Sequence, residues 1–346
     1  MKQGIFAIVT AVAISVTAVP KGAAAIPEKG QEYLERLATG TLYVPYPWAD
    51  KPQFYEEESE LFTEDSAENT SASAEESAES FESVESFIPD DAIAVQAVNL
   101  SRLEPTETPR LLIANETKYS VDLNTLANTT KSIGAGAVLI IHTHGTEAYL
   151  PDGENYYTKD EDFRSTDTEE NVVAVGAVFA ETLKSRGIQV YHDQSLYDEF
   201  SYNNSYTASR AACKEWISRH PDIRYIIDIH RDAITDGDGI NQKTLCTVEG
   251  QSIAQVMLVI GTDEAGAAHG GWQTNLAVGA KYQQFLNAYP TFARPVYLRR
   301  ASYNQQLCAG SMLLEVGSAA NTLGEAKAAA RLAGEVFCTL YDDLRE

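Results

Sequence analysis

The stretch VLIIHTHGTEAY, at residues 138–149, joins an apolar run to a dense group of metal-ligand side chains. Four consecutive apolar residues ending at a polar segment are typical of a strand that is covered on both faces. A buried strand and a turn account for VLII, but not for two histidines with a glutamate close behind. Because side chains alternate along an extended chain, His142 and His144 are expected on the same side. The stretch predicts a strand that leads into a metal site.

Further apolar strands alternate with helical patterns along the chain. A strand, a turn and an amphipathic piece are predicted over 111–126. Other predicted strands lie at 188–193, 225–233, 252–262 and 311–318, and predicted helices at 171–187, 206–221, 272–290 and 322–344. Thr322 and Glu325 form a capping box at the start of the last helix. This alternation predicts a single α/β domain with a mostly parallel or mixed central sheet flanked by helices.

Three of the predicted strands end in candidate metal or catalytic residues. VLII leads into His142 and His144, YIIDI into His230, and SMLL into Glu315. Sites in α/β sheets lie beyond the carboxyl ends of the strands, so these residues can meet at one edge. A catalytic zinc takes three His, Asp or Glu ligands. The alternative for His230 is a surface cluster of charges with its two neighbours. A purely structural role is hardest to argue for Glu315, because a carboxylate in an apolar run costs several kcal/mol unless it lies beside a metal or is paired.

Two glutamates compete for a further ligand position. Glu169 lies with Glu170 at the start of the predicted helix 171–187, where acidic residues also suit the helix dipole. Glu147 forms H-x-x-E with His144, a spacing that zinc carboxypeptidases use for two ligands. The residues leave both choices open.

The first part of the chain differs in composition from the rest. Residues 1–26 contain an uncharged, mostly apolar run from Gly4 to Val19, which predicts a signal or membrane anchor and therefore export. Residues 27–94 are predicted to be a disordered acidic linker, because fourteen acidic residues lie between Glu56 and Asp91 without any Lys or Arg. The working domain is predicted to span 95–346.

Charge and cysteine spacing exclude other classes of function. The net charge of −24 argues against a nucleic-acid partner, since phosphate binding needs a basic surface. None of the four cysteines lies in a C-x-x-C pair, so no zinc ribbon or redox motif is predicted, and core thiols are favoured over disulfides. No G-x-S-x-G is present.

Four segments occur in an order that resembles a known family. They are IIHTHGTEAYLP, FRSTDTEENVVAVGAVFAETLKSRG, IIDIHRDA and ARPVYLRRASYNQQLCAGSMLLEVGSAANTLGEA. Together they resemble the stage II sporulation protein P family over roughly residues 95–344. That family consists of membrane-anchored peptidoglycan hydrolases of endospore-forming bacteria. It is similar in turn to zinc N-acetylmuramoyl-L-alanine amidases.

The resemblance implies a zinc ion and the residues that hold it. Its ligands would be Glu169, His230 and one histidine of the first motif, with His144 chosen for its following glycine and His142 close behind. Glu315 would be the catalytic carboxylate. The implied activity is cleavage of the muramoyl–alanine bond, together with endopeptidase activity on stem-peptide cross-links. The implied role is septal wall thinning and engulfment during sporulation, beside a lytic transglycosylase and a membrane scaffold.

A mechanism follows as a hypothesis. Glu315 takes the proton of the attacking water and returns it to the leaving amine. Arg231 helps zinc to stabilise the oxyanion, and Asn304 and Gln305 contact the substrate. Two rival functions are a zinc carboxypeptidase or similar metallohydrolase and a non-catalytic, membrane-anchored wall-binding scaffold. The products released from peptidoglycan distinguish an amidase from the first rival. The metal content of the protein distinguishes a zinc enzyme from the second.

Overall fold

A computed structural model describes residues 88–89, 91–101, 111–128 and 132–345. The predicted anchor, 1–26, and most of the predicted linker lie outside these residues. Within them, no helix combines the length and apolar character needed to cross a bilayer. The strand Ala92–Ala94, which precedes the predicted domain boundary at residue 95, pairs with Tyr156–Thr158.

The described residues form twelve strands and five α-helices. In chain order the strands are β1 (Ala92–Ala94), β2 (Gln96–Val98), β3 (Ile113–Asn115), β4 (Ala137–Ile141), β5 (Tyr156–Thr158), β6 (Val190–His192), β7 (Ile223–Asp232), β8 (Gln242–Val248), β9 (Gln251–Ala254), β10 (Val256–Gly261), β11 (Val296–Arg299) and β12 (Gly310–Ser318). The helices are α1 (Leu123–Asn128), α2 (Val172–Ser185), α3 (Ser205–Arg219), α4 (Trp272–Leu286) and α5 (Leu323–Leu344).

The central sheet has seven strands in the order β3-β11-β10-β12-β7-β4-β6. β6, β4, β7 and β12 are parallel to one another. β10 runs antiparallel to β12, and β11 and β3 continue parallel to β10. The predicted mixed α/β fold is confirmed. The carboxyl ends of β4, β7 and β12 consequently meet at one edge of the sheet.

Helices cover both faces of this sheet. On one face, Val138 and Ile140 pack in the main core with Phe179 of α2 and Phe337 of α5. On the other face, alternate residues of β4 pack against Cys213 of α3. Since both faces are covered, every residue of β4 is buried, which explains its continuous apolar sequence.

Several predicted elements are confirmed and one is divided. α2 ends at Ser185, and Gly187 then adopts a positive φ of 78° that favours glycine. α5 begins with the predicted capping box of Thr322 and Glu325. The predicted strand 252–262 splits at Gln255 into β9 and β10, which belong to different sheets. The split occurs where the Gln255 side chain bonds to neighbouring backbone and side-chain groups.

All four cysteines are free. Cys213, Cys246 and Cys338 are buried, as predicted for core thiols, whereas Cys308 is half-buried.

Candidate active site

A turn follows β4 and carries the first candidate ligands. The strand ends at Ile141 and the turn begins at Thr143. The chain is no longer extended there, so the alternation that would place His142 and His144 on the same side does not apply. The buried carboxylate of Asp228, on β7, accepts hydrogen bonds from the Thr143 backbone N–H (2.8 Å) and hydroxyl (2.6 Å). This pair of bonds fixes the turn to the neighbouring strand.

His144 lies among aromatic rings at the end of the sheet. Tyr202 stacks on it at 4.2 Å between ring centroids, and the His230 ring meets it edge-on at 5.2 Å. Its Nδ1 is buried and has no hydrogen-bond partner. Burial, assisted by the charge of His230, lowers the pKa of His144 to about 4. The imidazole is therefore neutral at pH 7, which is the form that binds metals.

His230 lies between two carboxylates. Its Nδ1 is 3.3 Å from Glu147 Oε2, and its Nε2 is 3.0 Å from Asp228 Oδ1, although that second contact lacks hydrogen-bond geometry. Burial opposes the charged form, but Asp228 and Glu147 together outweigh it, and the pKa of His230 is raised well above its usual value. Burial likewise opposes ionisation of Glu147, yet the hydrogen bond and charge of His230 lower the pKa of Glu147 to about 2.

Glu315 lies directly opposite His230 in the β12–β7 pairing. Its Oε2 is buried and has no hydrogen-bond partner. Burial, followed by the negative charge of Asp232, raises the pKa of Glu315 to about 8. A carboxyl group with a pKa near neutrality is suited to general acid–base catalysis.

The two glutamates that competed as ligands have different surroundings. Glu147 accepts a hydrogen bond from the Arg231 backbone N–H (3.2 Å) and faces His230. Glu169 is exposed, and its backbone N–H donates a hydrogen bond to the Asp167 side chain. The structure thus brings Glu147, not Glu169, to the histidines.

His142 lies apart from this cluster. Its Nδ1 is 3.0 Å from the carbonyl oxygen of Ile229, and its Nε2 is 2.9 Å from Nε2 of His192. Its ring also lies against α2 at Gly176, where an added Cβ would be 2.4 Å from it. Both ring nitrogens therefore have partners within the protein.

The three predicted substrate contacts are bonded within the protein. The Arg231 guanidinium donates to the carbonyl oxygens of Ala148 (2.7 Å) and Phe163 (2.6 Å). Asn304 and Gln305 are buried. The Asn304 amide donates to Tyr206 O and Ser209 Oγ and accepts from Arg210, while the Gln305 amide bonds to Val259 O and Gly261 N. The guanidinium thus bonds to the segment after β4 and to the loop before α2, and the two amides attach the segment between β11 and β12 to α3 and β10.

Sequence reasoning missed several residues that shape the site. Asp228 precedes His230 by two positions in a strand, so period-two alternation could have identified it. Asp198 and Tyr202 come from the loop between β6 and α3, and no periodic signal marks them.

The side chains present have the chemistry of a zinc site. Among the described residues, no three His, Cys, Asp or Glu side chains have the spacing of a preformed metal site. However, His144 Nδ1, His230 Nε2 and Glu315 Oε2 are all buried without hydrogen-bond partners. Buried polar atoms are normally bonded, and such exceptions indicate an ion or another missing partner. A neutral imidazole, a second imidazole and a carboxylate are the donors that zinc prefers.

The fold and the site define an α/β protein with a buried histidine–carboxylate centre at one edge of its sheet. The comparison with protein families gives its relationship. The model of the stage II sporulation protein P (SpoIIP) family matches residues 39–338, and the chain belongs to this family. The family predicted from the four sequence segments is thus confirmed.

A curated relative and several solved structures are also similar to this chain. Stage II sporulation protein P of Bacillus subtilis (strain 168) is 32% identical over 220 residues, which cover 60% of this chain and 51% of the relative. The chain thus spans about half the length of the curated relative that it matches.

The solved structures are more distant. The Ami1 N-acetylmuramyl-L-alanine amidase of Mycobacterium abscessus has a TM-score of 0.34 at 12% identity, covering 60% of this chain and 99% of its own. The CwlD amidase of Clostridioides difficile, solved with the GerS lipoprotein, has a TM-score of 0.36 at 16% identity, covering 60% and 96%. Similarity at these TM-scores does not establish a shared fold.

Proposed function

We propose that this protein is a zinc-dependent peptidoglycan hydrolase that cuts the amide bond between N-acetylmuramic acid and L-alanine. The observation that carries the proposal is the convergence of His144, Glu147, His230 and Glu315, which come from three separate strand ends. Membership of the sporulation family supports peptidoglycan as the substrate.

His144, Glu147 and His230 would hold the zinc ion. Glu147 replaces the predicted Glu169 in this set because it lies 3.3 Å from His230, whereas Glu169 is exposed. A bound zinc ion supplies Lewis acidity and makes a water-derived nucleophile available at neutral pH. The nearly complete burial of His144, Glu147 and His230 restricts water access to the centre.

The protein's own groups then move the proton and orient the ligands. Glu315 accepts the proton of the attacking water at a carboxylate oxygen and returns it to the nitrogen of the leaving amine. Asp228 places a buried carboxylate 3.0 Å from Nε2 of His230, while Nδ1 faces Glu147. The Arg231 backbone N–H holds Glu147, and its guanidinium fixes the surrounding loops rather than an oxyanion.

The resemblance extends the proposal beyond the site. We include endopeptidase activity on stem-peptide cross-links and a role in septal wall degradation and engulfment. The proposed location is the outer face of the cytoplasmic membrane, where a segment within residues 1–26 would anchor the protein. If that segment is instead cleaved as a signal peptide, the protein would be released from the membrane. The proposed partners are a lytic transglycosylase and a membrane scaffold.

A second candidate function is favoured by one observation. His144 and Glu147 form H-x-x-E, and both lie beside the later His230, as expected for a zinc carboxypeptidase. Such an enzyme would release terminal amino acids from stem peptides, whereas an amidase releases stem peptides with a free L-alanine amine.

Digestion of purified wall sacculi with the full chain tests both functions. Wild type should release intact stem peptides, and Glu315→Gln should release essentially none while still binding zinc. Glu169→Gln is the matched control and should behave as wild type. Release of terminal amino acids alone would favour the carboxypeptidase. Absence of any product from a zinc-loaded wild type would contradict both hydrolase functions and favour a wall-binding scaffold.

A further inference from the structure

Asp198 lies in the loop between β6 and α3, and its side chain is completely buried. It accepts hydrogen bonds from the backbone N–H of Thr146 (3.0 Å) and from the Thr146 hydroxyl (2.8 Å). Thr146 lies between His144 and Glu147, the two proposed ligands contributed by the β4 turn. The carboxylate therefore bonds to the turn at the point that sets the separation of these two ligands.

Arg164 completes this contact from a different loop. Its Nη1 donates to Asp198 Oδ2 and to the Thr146 hydroxyl, each at 2.7 Å. Its guanidinium also lies over the Tyr202 ring, 5.0 Å from the centroid. Tyr202 stacks in turn on His144 with only 5° between the ring planes. Arg164 and the β6–α3 loop thus enclose the His144 ring as well as the turn.

Asp198 also presents its charge to His144. Its Oδ2 is 3.8 Å from His144 Nδ1, which is too long for a hydrogen bond but close enough for an electrostatic effect. Asp228 lies similarly close to His230, with its Oδ1 3.0 Å from Nε2. His144 thus has one buried carboxylate beside its ring, and His230 has two, Asp228 and Glu147.

We propose that Asp198, assisted by Arg164, is a positioning residue that holds the His144–Glu147 turn and the His144 ring in the geometry that binds zinc. This inference rests on the proposed zinc centre and adds residues that contact neither the metal nor the substrate. Outer-shell groups of this kind contribute about 10- to 100-fold to metal affinity.

The same loop offers a matched control. Asp193 is also buried, and it accepts hydrogen bonds from the Tyr197 hydroxyl (2.7 Å) and the Trp216 indole (2.6 Å). Its carboxylate bonds to Ser195, Tyr197 and Trp216 rather than to the turn after β4. Asp193→Asn should therefore disturb the loop without disturbing the ligands, while Asp198→Asn disturbs both.

Zinc affinity, measured by competition with a chromogenic chelator on the full chain, tests the proposal without relying on activity. Asp198→Asn should weaken zinc binding by about 10- to 100-fold. Arg164→Gln should weaken it by a smaller factor, because Asp198 retains its bonds to Thr146. Asp193→Asn should bind zinc as wild type does, within about threefold. Arg164 is partly exposed, so its variant provides the test if Asp198→Asn does not fold.

The outcomes separate this inference from the proposed function. If wild type binds no zinc, the proposed zinc centre fails and the positioning role fails with it. If wild type binds zinc but Asp198→Asn and Arg164→Gln bind it equally well, only the positioning role is overturned. Equal weakening in Asp193→Asn and Asp198→Asn would also overturn it, because the effect would then come from general loosening of the loop.

Discussion

His142 and His144 are separated by a single residue in the chain, but their side chains lie in different surroundings. His142 is packed against α2, and both of its ring nitrogens have partners, the Ile229 carbonyl and His192. His144 is packed against Tyr202 and faces the other candidate ligands, and its Nδ1 has no partner. The first histidine is built into the core, whereas the second is incomplete without a further group.

This is the difference expected between a structural residue and a candidate ligand. Leaving a buried polar atom without a hydrogen bond costs about 1–3 kcal/mol, so a fold retains few such atoms unless a ligand completes them. Three of them, on His144, His230 and Glu315, lie at the carboxyl ends of β4, β7 and β12. Asn304 and Gln305, by contrast, use their amides within the protein and fit a structural role.

The largest expected effect is at Glu315. Glu315→Gln keeps the size of the side chain but cannot accept a proton, so we expect the rate of wall digestion to fall by about 10²- to 10⁴-fold. Zinc content should remain at the wild-type level, because this residue is not a proposed ligand. Rates of muropeptide release, with metal analysis on the same samples, measure both. A variant that retains the wild-type rate would remove Glu315 from the catalytic role.

The next largest effect is the expected difference in zinc affinity between variants of Glu147 and Glu169. A change in the outer shell of a metal site weakens binding by about 10- to 100-fold. Glu147→Gln should weaken zinc binding by more than this, because a charged ligand is lost. Glu169→Gln should change zinc affinity by less than about twofold, since Glu169 is exposed. Chelator competition measures both affinities. If Glu169→Gln lost zinc while Glu147→Gln retained it, Glu169 would be the ligand, as predicted from the sequence.

His142 and His144 should respond differently to truncation. His142→Ala leaves a cavity beside α2 and two unpaired groups, so the free energy of unfolding should fall by about 2–4 kcal/mol while zinc is retained. His144→Ala should lose zinc. Urea unfolding of metal-free protein and metal analysis of loaded protein give the two readouts. Loss of zinc from the His142 variant, in folded protein, would make His142 a ligand.

Gly176 tests how closely His142 is packed. An alanine Cβ at this position would lie 2.4 Å from the His142 ring, which is a steric clash. Overpacking costs about 1–3 kcal/mol, and the better helix propensity of alanine offsets up to about 1 kcal/mol of this. We therefore expect a net loss of about 1–2 kcal/mol in urea unfolding. A stabilised variant would mean that the helix and the ring can move apart.

The smallest predicted effect is the pH dependence contributed by Asp193. Burial opposes ionisation, but hydrogen bonds from Tyr197, Ser195 and Trp216 lower the pKa of Asp193. A lowered pKa contributes stability above the unfolded value, near 4, and this contribution is lost as the pH falls through the folded value.

Asp193→Asn should therefore be less stable than wild type by about 1 kcal/mol at pH 7, with the difference shrinking as the pH falls below 4. Urea unfolding at a series of pH values measures it. A difference that does not change with pH would contradict the assigned ionisation.

Sequence patterns predicted the elements that carry the site better than the site itself. The apolar runs before His144, His230 and Glu315 form β4, β7 and β12 because strands buried on both faces leave a continuous signal. Parallel packing then brings their ends together. The capping box of α5 could be predicted because it depends on two residues at a fixed spacing.

Residues contributed by loops were beyond such patterns. Glu147 and Glu169 both fit a ligand position by type and spacing, and only the path of the turn after β4 distinguishes them. Asp198 reaches Thr146 from a loop 52 positions later, a contact that local periodicity does not encode. Asn304 looked like a substrate contact in a polar stretch, but it adopts a left-handed backbone conformation with a φ of 59° and its amide binds the start of α3.

Anomalous diffraction at the zinc absorption edge, from crystals of the zinc-loaded protein, tests the central claim most directly. We predict one strong peak per chain, bounded by His144, Glu147 and His230 and near the carboxylate of Glu315. A peak between His142 and His192, a peak beside Glu169, or no peak in zinc-loaded crystals would contradict it.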